Sequence, residues 1–348
     1  MDKQYDLVIY IGRFQPFHEA HRQTVLAASK ISEHTLVLIG SSRSPRTPKN
    51  PWTVQEREEM IRDCIGAEVS NLHIGHVRDY IYDDPQWIAR VGEIVDSVVL
   101  QNADIDPKKI AVIGHDKDHS SFYLNYFPHW DFVNFDSYPP KGETIDATKV
   151  RDLMFKGDYA FVKSVVPETI YKEIMWFIET KEFSVLKEDW DYVEAYKKSW
   201  ASSPYPPTFS TCDAIVVQSG HVLLIQRGEN PGKGMWAIPG GFIDVNEKIA
   251  NAVIRELREE TRLKVPEKVL RGSIIHKEVF DDPDRGRRGR TITHASLFKL
   301  DDAEKLPLVK GGDDAAVARW FPFSDFKEME PVMYEDHWHI VNHMLNKI

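Results

Sequence analysis

Two histidines three residues apart follow an apolar run near the amino terminus. The run at 6–11 leads directly into the segment 12–21, GRFQPFHEAH. Glycine at position 12 permits a tight turn, and His18 and His21 share one face of the helix that begins there. A helix start offers free N–H groups and a favourable dipole to anions, and imidazoles donate hydrogen bonds to phosphate. We expect a polyphosphate site here; a capping His18 and a surface His21 are the alternative.

A second group of residues that suits chemistry is acidic. Glu256, Glu259 and Glu260 lie within about 100° of one another on a predicted helix at 246–261. Carboxylates this close repel one another, and their hard oxygen atoms select Mg²⁺ or Mn²⁺. The spacing therefore predicts a divalent-cation site, and a solvated acidic face is the alternative. Glu247 lies far from the other acids on the helix, and we expect it to support the site by pairing with Arg255.

The elements around the histidines predict the fold of the first half of the chain. Apolar strand patterns alternate with helical patterns, in the order 6–11, 18–32, 34–40, 53–65, 71–77, 84–100 and 109–114. This alternation is typical of βαβ units, so we expect an α/β domain with a doubly wound parallel sheet. Such sheets bind ligands at the carboxyl ends of their strands, where the histidine segment lies.

The second half of the chain has a different pattern. Residues 146–200 look mostly helical, and three prolines within 201–208 mark a linker because proline disfavours helices and central strands. Beyond it, 211–227 predicts two strands around a Ser-Gly turn, one long helix follows, and further strand patterns come after the helix, the first at 269–280. This predicts an α+β domain with a mixed sheet. We therefore expect domains at 1–182 and 207–348, with a helical segment and linker at 183–206.

Composition excludes several classes of protein. The chain has 348 residues with 44 Lys and Arg against 54 Asp and Glu, and its net charge of −10 argues against a general nucleic-acid binder. Cys64 and Cys212 are too few for a disulfide framework or a cysteine-rich zinc site. No apolar run predicts a membrane span or a signal peptide, so we expect a cytoplasmic protein without membrane or nucleic-acid partners. The sequence leaves homo-oligomer formation open.

The histidine segment resembles a family signature. GRFQPFHEAH is similar to the signature of the HxGH-type nucleotidyltransferases, specifically the NMN adenylyltransferases, with Ala20 where many members have glycine. The segment 146–151, DATKVR, resembles the second signature of that family, with Asp146 in place of serine. Asp146 can still cap the helix that follows, while Thr148 and Arg151 match the signature.

The resemblance implies a Rossmann-like domain with ATP and NMN as substrates and NAD and pyrophosphate as products. The NMN phosphate would attack the α-phosphorus of ATP directly. His18, His21 and Arg151 would stabilise charge on the pyrophosphate, with Mg²⁺ bridging phosphate oxygens. Nicotinate mononucleotide stays open as the phosphate acceptor.

Further substrate contacts follow from the same resemblance. Segment 50–53 and Trp87 resemble the region that holds the nicotinamide ring, and a tryptophan face suits a cationic pyridinium; a core role for Trp87 is the alternative. The loop after 109–114 resembles the adenosine-side loop. The expected contacts to ATP and NMN are Gly12, Arg13, Phe14, Gln15, Asn50, Trp87, Gly114, Asp116 and Thr148.

The acidic helix resembles the Nudix box. The pattern Gly241-x5-Glu247-x7-Arg255-Glu256-Leu257-x-Glu259-Glu260-x-x-Leu263 matches the box at every position except Arg262, where the box has a glycine that normally ends the helix. The resemblance implies metal-assisted hydrolysis of a nucleoside diphosphate derivative, with Glu256 and Glu260 catalytic. The implied metal ligands are Glu256, Glu259, Glu260 and Gly240. Candidates for a general base outside the box are Glu278, Asp313, Asp314 and Glu335.

A loop rich in arginine suggests the substrate of this second domain. Four arginines within 285–290 alternate with glycine and predict a phosphate or carboxylate clamp, with Arg287 and Arg288 in contact with substrate; a solvated basic hairpin is the alternative. Segments 291–294 and 311–314 resemble ADP-ribose-directed Nudix domains, which implies cleavage of ADP-ribose to AMP and ribose 5-phosphate. A non-catalytic ADP-ribose sensor and a hydrolase of other nucleoside diphosphate derivatives are the alternatives. Together the halves resemble bifunctional bacterial NMN adenylyltransferase–Nudix proteins.

Overall fold

The computed structural model describes residues 3–115, 126–136 and 146–348. The chain forms two compact units, Met1–Lys187 and Glu188–Ile348. Asp116, one of the predicted substrate contacts, lies outside the described residues. Within the described residues, none of the helices combines the length and the apolar character that crossing a membrane requires.

The first unit contains a parallel sheet of five strands. The strands are β1 (Tyr5–Gly12), β2 (Ser32–Ile39), β3 (Leu72–His76), β4 (Ile110–Gly114) and β5 (Asp131–Asn134). They lie in the order β3-β2-β1-β4-β5, and each neighbouring pair is parallel. The Val-, Ile- and Leu-rich runs of β1, β2 and β4 are buried on both faces, as the strands of parallel sheets require. The predicted α/β fold with a parallel sheet is confirmed.

Seven helices accompany this sheet in the described residues. They are α1 (Glu19–Ile31), α2 (Val54–Ile65), α3 (Asp84–Gln101), α4 (Ala147–Lys156), α5 (Tyr159–Val165), α6 (Glu168–Phe177) and α7 (Lys181–Ser199). Polar side chains begin several of them: Thr53 caps α2 together with Glu56, and Asp146 caps α4. Because α7 runs across the division at residues 187 and 188, its second half belongs to the second unit.

The strand order places a crevice beside β1. β2 lies on one side of β1 and β4 on the other, so the chain leaves β1 and β4 in opposite directions along the sheet. Loops that follow such neighbouring strands diverge at their carboxyl ends and leave room for a ligand. Gly12 ends β1 and Gly114 ends β4, so two predicted contact residues border this crevice.

The second unit contains a mixed sheet of seven strands. They are β6 (Thr208–Gln218), β7 (His221–Arg227), β8 (Trp236–Ala237), β9 (Gly240–Phe242), β10 (Ile274–Phe280), β11 (Arg290–Lys299) and β12 (Ala315–Pro322). The main order is β10-β11-β6-β7-β12; β8 pairs with β7, and β9 pairs with β6. Among these strands, as far as the structure describes the chain, β6 and β11 form the one parallel pair and the other pairs are antiparallel, which confirms the predicted mixed sheet. Ser219 and Gly220, both with positive φ, form the predicted turn between β6 and β7.

The helices of the second unit are α8 (Ile249–Thr261), α9 (Glu267–Gly272), α10 (Phe323–Phe326) and α11 (His337–Leu345). The apolar face of α8, with Val253 and Leu257, packs on Ala214 and Val216 of β6, which leaves its acidic residues toward another face. The sequence predicted strand structure from residue 269, but the first part of that run is α9. Short apolar runs do not distinguish a strand from a short helix.

Candidate active sites

The loop after β1 brings two imidazole rings together at the start of α1. His18 is the N-cap residue, and its backbone N–H donates a hydrogen bond to His21 Nδ1 at 3.3 Å. The rings stack with their centroids 3.6 Å apart and their planes 20° apart. His18 is buried and His21 half-buried. Two imidazoles therefore lie at the N-terminus of a helix, where a polyphosphate would find both hydrogen-bond donors and a favourable dipole.

The side chains of Phe14 and Gln15 hold the backbone of this loop. Phe14 has a φ of +51°, and its ring packs so closely on Gly12 that a Cβ at that position would lie 2.8 Å from the ring. The Gln15 amide donates to the Trp52 carbonyl at 2.8 Å and accepts from the Trp52 N–H at 3.1 Å. Both side chains are buried. Contacts of these two residues with a substrate therefore fall to their backbone groups.

A buried arginine, which the sequence did not single out, ties three loop carbonyls together. Arg57 of α2 donates to the carbonyls of Arg13 at 2.6 Å, Gly40 at 2.7 Å and Ser41 at 3.1 Å. Burial is the main cause that lowers its pKa to about 10, so the guanidinium stays protonated near neutral pH. Its position in the sequence could have indicated this burial, because Arg57 lies one turn before the buried Met60 and Ile61 on the apolar face of α2.

A second arginine joins the two predicted signatures. Arg151 of α4 is buried, and its Nη1 donates to the Gln15 carbonyl at 2.7 Å. Its Nη2 donates to Thr148 Oγ1 at 3.0 Å, while the Asp146 carboxylate accepts from the Thr148 N–H at 2.7 Å. The predicted capping role of Asp146 is confirmed. Two segments distant in sequence thus meet at the histidine loop and place a fixed positive charge there.

The remaining predicted contacts of this unit differ in their surroundings. The Arg13 side chain is exposed, whereas its carbonyl is held by Arg57. Asn50 Oδ1 is buried and has no hydrogen-bond partner among the described residues. Trp87 is half-buried and packs against the apolar core of the sheet. A core role for Trp87 therefore has structural support, and Asn50 offers an unused acceptor.

In the second unit, Arg255 lies at the centre of the acidic cluster on α8. Its Nη2 donates to Glu247 Oε2 at 2.8 Å, so the predicted pair is present. Its Nη1 donates to Glu256 Oε1 at 2.8 Å and to Glu259 Oε2 at 3.1 Å. The hydrogen bonds to Glu247 come first among the causes that hold the pKa of Arg255 above its ordinary range. One cation thus keeps three carboxylates close together.

Glu260 is the most deeply buried acid of the cluster. Its Oε2 accepts a hydrogen bond from the Gly240 N–H at 2.8 Å. Burial is the first cause that raises the pKa of Glu260 to about 10; a side-chain hydrogen bond with Asp314 and the charges of Asp314 and Glu256 add to it. Burial also raises the pKa of Glu256. Without a cation, these carboxylates are therefore costly to ionise.

The four acids considered as a general base differ in the groups that they contact. Asp314 touches Glu260. Glu278 instead accepts from His276 at 3.1 Å and from His343 at 3.0 Å. Glu335 accepts from the Tyr334 hydroxyl, and Asp313 is exposed with a φ of +50°. Within the described residues, Asp314 is thus the one of the four that contacts a Nudix-box acid.

The donor set fits a divalent cation. Carboxylate oxygens are the ligands that hard cations select, and a cation would offset the burial and the charge repulsion that raise the pKa of Glu256 and Glu260. No three His, Cys, Asp or Glu side chains within the described ranges are already arranged to hold a metal ion. Arg255 and the Gly240 N–H engage their oxygens instead. A cavity of about 910 Å³ beside α8 reaches Glu259.

The arginine loop is only partly available to a ligand. Arg285 forms a buried ion pair with Asp336, with Nε 2.9 Å from Oδ2. Arg287 Nη1 lies 2.6 Å from Asp189 Oδ2 on α7. Arg290 pairs with Asp281 at 3.5 Å. The phosphate or carboxylate clamp stays a prediction: carboxylates already pair with Arg285, Arg287 and Arg290 in this structure, whereas Arg288 has no carboxylate partner in the described chain.

Comparison with known families agrees with the two units. A cytidylyltransferase-like family model matches residues 9–126, and a NUDIX domain model matches residues 208–344. A nicotinamide/nicotinic acid mononucleotide adenylyltransferase from Acinetobacter baylyi is 31% identical over 186 residues, which cover 53% of this chain and 93% of the relative. An ADP-ribose pyrophosphatase from Methanocaldococcus jannaschii is 36% identical over 117 residues, which cover 34% of this chain and 63% of that relative.

A solved structure matches almost the whole chain. It is the crystal structure of a bifunctional NMN adenylyltransferase/ADP-ribose pyrophosphatase from Francisella tularensis, complexed with AMP and a Mn ion. The match has a TM-score of 0.89 and 32% identity, and it covers 99% of each chain. The chain therefore belongs to the family of bifunctional NMN adenylyltransferase/ADP-ribose pyrophosphatases, in which a cytidylyltransferase-like domain precedes a NUDIX domain.

Proposed function

We propose that the first unit transfers AMP from ATP to NMN and releases pyrophosphate. The observation that carries this proposal is the stacked pair His18 and His21 at the start of α1, with Arg151 fixed to the same loop. These groups present positive charge and hydrogen-bond donors at the carboxyl ends of parallel strands, where phosphates bind. We assign the adenylyltransferase domain to 1–182, the segment between the domains to 183–206 and the Nudix domain to 207–348.

The reaction needs no nucleophile from the protein. An oxygen of the NMN phosphate, which is largely a dianion near neutral pH, forms a bond to the α-phosphorus of ATP. The bond from that phosphorus to the bridging oxygen breaks, and pyrophosphate leaves with the electron pair. His18, His21 and Arg151 stabilise the charge that develops on the leaving group, while the fixed loop aligns the reactants.

His18→Ala tests this assignment. Since the imidazole acts on developing charge, we expect the rate of NAD formation from ATP and NMN to fall by about 100-fold or more. Hydrolysis of ADP-ribose by the same preparation should keep its wild-type rate, which shows that the protein is folded. A variant that retains full synthesis would remove His18 from the mechanism, and loss of both activities in a folded protein would contradict separate sites.

We further propose that NMN is preferred over nicotinate mononucleotide. The supporting observation is the buried Asn50 Oδ1, an acceptor without a partner among the described residues. A carboxamide N–H of NMN can donate to it, whereas the carboxylate of nicotinate has no hydrogen to donate. Asn50→Asp keeps an acceptor and adds a negative charge, so it should retain NMN activity and lose activity with nicotinate mononucleotide. The reverse change in the ratio of kcat/KM values would contradict the assignment.

We propose that the second unit hydrolyses ADP-ribose to AMP and ribose 5-phosphate with Mg²⁺ or Mn²⁺. Glu256, Glu259, Glu260 and the backbone of Gly240 would hold the cation. A bound divalent cation supplies Lewis-acid stabilisation of diphosphate charge and lowers the pKa of water. Asp314, which contacts Glu260, would accept the proton from the attacking water. Arg255 orients the glutamates through its hydrogen bonds.

Glu260→Gln tests the hydrolase assignment because it removes one negative charge and keeps the shape of the side chain. We expect metal-dependent AMP release to fall by about 100-fold or more, with NAD synthesis unchanged. Calorimetric titration of Mg²⁺ or Mn²⁺ gives an independent readout, since the variant should bind the metal more weakly. Wild-type protein that binds ADP-ribose tightly without releasing AMP would instead establish a sensor. A substrate panel tests preference for other nucleoside diphosphate derivatives.

A further inference from the structure

Arg288 is distinguished from the other arginines of its loop by what surrounds it. Arg285, Arg287 and Arg290 each pair with a carboxylate. The guanidinium of Arg288 lies instead over two aromatic rings, 4.9 Å from the centroid of Phe242 and 5.7 Å from that of Tyr196. An arginine held by ring faces keeps its charge and its hydrogen-bond donors available to a ligand.

The two rings belong to a larger aromatic cluster, which we call the aromatic platform. It consists of Tyr196 and Trp200 from α7, Phe209 from β6 and Phe242 from β9. Phe209 lies at its centre, with ring centroids 5.7 Å from Tyr196, 5.5 Å from Trp200 and 5.8 Å from Phe242. Phe209 is buried, whereas Phe242 is 38% exposed and Trp200 43% exposed. The platform therefore has a buried base and an accessible surface.

The platform is continuous with the acidic cluster. Phe242 follows Gly240 by two residues, and Gly240 donates its N–H to Glu260. The carbonyl of Phe242 accepts a hydrogen bond from Arg255 Nη2 at 3.3 Å. A diphosphate bound at the acidic cluster would thus have the exposed ring of Phe242 at the end of the same short strand. A planar group attached to that diphosphate has a surface on which to stack.

The helix that supplies part of the platform is fixed to this unit. Asp189 of α7 accepts from the Gly232 N–H at 2.8 Å and from Arg287 Nη1 at 2.6 Å. Two helical turns later, Tyr196 contacts Phe209. Both Tyr196 and Trp200 precede the stretch 208–344 that the NUDIX family model matches. These residues thus extend the site beyond the Nudix domain itself.

We infer that the aromatic platform and Arg288 bind the adenine base of ADP-ribose. The inference rests on the proposed ADP-ribose hydrolase function and adds to it the residues that recognise the base. Aromatic rings stack on the faces of a purine, and a guanidinium stacks on or donates hydrogen bonds to the same base. Exposed rings beside a free guanidinium match this chemistry, whereas a ribose phosphate offers no flat face to them.

Product inhibition separates the two ends of the substrate. AMP carries the base and ribose 5-phosphate does not, so Phe242→Ala and Arg288→Ala should each raise the inhibition constant of AMP about tenfold, as loss of one stacking contact does. The inhibition constant of ribose 5-phosphate should stay within about twofold of the wild-type value. The KM for ADP-ribose should rise together with the inhibition constant of AMP, while kcat changes little. Tyr205→Ala, an exposed ring of the same unit outside the platform, is the matched control.

The outcomes distinguish this inference from the proposed function. Wild-type protein that releases no AMP from ADP-ribose defeats the proposed function. Wild-type protein that does so, with Phe242→Ala and Arg288→Ala showing unchanged AMP inhibition, overturns the platform alone. Equal weakening of both inhibitors would also overturn it, because base recognition cannot affect ribose 5-phosphate. Phe242→Leu keeps apolar bulk without a flat face. It should reproduce the rise in the inhibition constant of AMP, because it loses stacking and keeps packing.

Discussion

Arg57 carries a positive charge into the interior and gives it only neutral carbonyl partners. Its donors reach Arg13, Gly40 and Ser41, which lie at the ends of β1 and β2. Each of these carbonyls belongs to a residue just beyond the end of a strand, where the pairing of strands alone does not fix the backbone. The guanidinium therefore stabilises the shape of the histidine loop without lying among the groups assigned to phosphate binding.

Arg57→Lys tests this positioning role. An ammonium cannot reach three carbonyls in the fixed geometry of a guanidinium, so we expect a loss of about 1–3 kcal/mol in the free energy of unfolding. We also expect kcat for NAD synthesis to fall about tenfold or more because the loop shifts. Chemical denaturation and steady-state kinetics measure the two effects.

The matched control for this change lies on the same helix. Arg62 is half exposed and pairs with Glu58 at 2.8 Å, so Arg62→Lys should leave both quantities near their wild-type values. If Arg57→Lys behaved like Arg62→Lys, the three carbonyl contacts would have no measurable effect on the loop, and the role given to Arg57 would be withdrawn.

At the scale of elements, a chain of histidines connects two strands at the end of the sheet opposite the active site. His34 of β2 places Nδ1 3.0 Å from His73 Nε2 of β3, and its Nε2 lies 2.9 Å from Asp104 Oδ2. Burial, followed by the nearby charge of His34, lowers the pKa of His73. His73 therefore binds a proton less readily in the folded unit than in the unfolded chain.

The pH dependence of stability follows from this lowered pKa. As pH falls through about 6.5, the unfolded chain binds a proton before the folded one does, so the free energy of unfolding decreases. His73→Gln keeps a hydrogen-bonding group and cannot titrate in this range. Between pH 7.5 and 5.5, the midpoint temperature of unfolding should fall less in this variant than in the wild type. Calorimetry measures this midpoint on the unfolding transition of the first unit, which is the transition that added ATP shifts. His129→Gln, at an exposed position of the same unit, should keep the wild-type dependence of the midpoint on pH. If His73→Gln also kept that dependence, the account would be contradicted.

The elements also show what the sequence could and could not predict. Buried runs such as those of β1 and β2 predict a parallel sheet because both faces must be apolar. The acidic face of α8 follows from helical periodicity. By contrast, the run near Val269 forms α9, although its pattern of apolar residues suits a strand equally well. Whether an arginine such as Arg57 is solvated or buried depends on carbonyls from distant loops, which no local pattern reveals.

At the scale of the whole molecule, the position of α7 decides where the second unit begins. The compact units divide between residues 187 and 188, upstream of the proline-rich stretch 201–208. The reason is specific contacts: Asp189 binds Gly232 and Arg287, and Tyr196 packs on Phe209. A sequence pattern shows the prolines, whereas these contacts join residues far apart in the chain.

Two fragments that differ only in α7 test this division. A fragment of residues 181–348 retains the whole helix, and one of residues 204–348 lacks it. Loss of Asp189 leaves Arg287 without its carboxylate, and loss of Tyr196 and Trp200 exposes Phe209. We expect the shorter fragment to unfold at a midpoint at least about 5 °C lower, since a loss of 1 kcal/mol shifts a unit of this size by about 2–4 °C.

The single change Asp189→Asn in the full chain separates the charge contact from the rest of α7. The amide can still accept from the Gly232 N–H but no longer neutralises Arg287, so part of the loss in midpoint should appear without any truncation. Asp191→Asn, at an exposed position of the same helix, is the matched control. Equal midpoints for the two fragments, measured by circular dichroism, would mean that the second unit begins after α7. The helix would then be a connector, and the aromatic platform would lose the fixed support that base recognition requires.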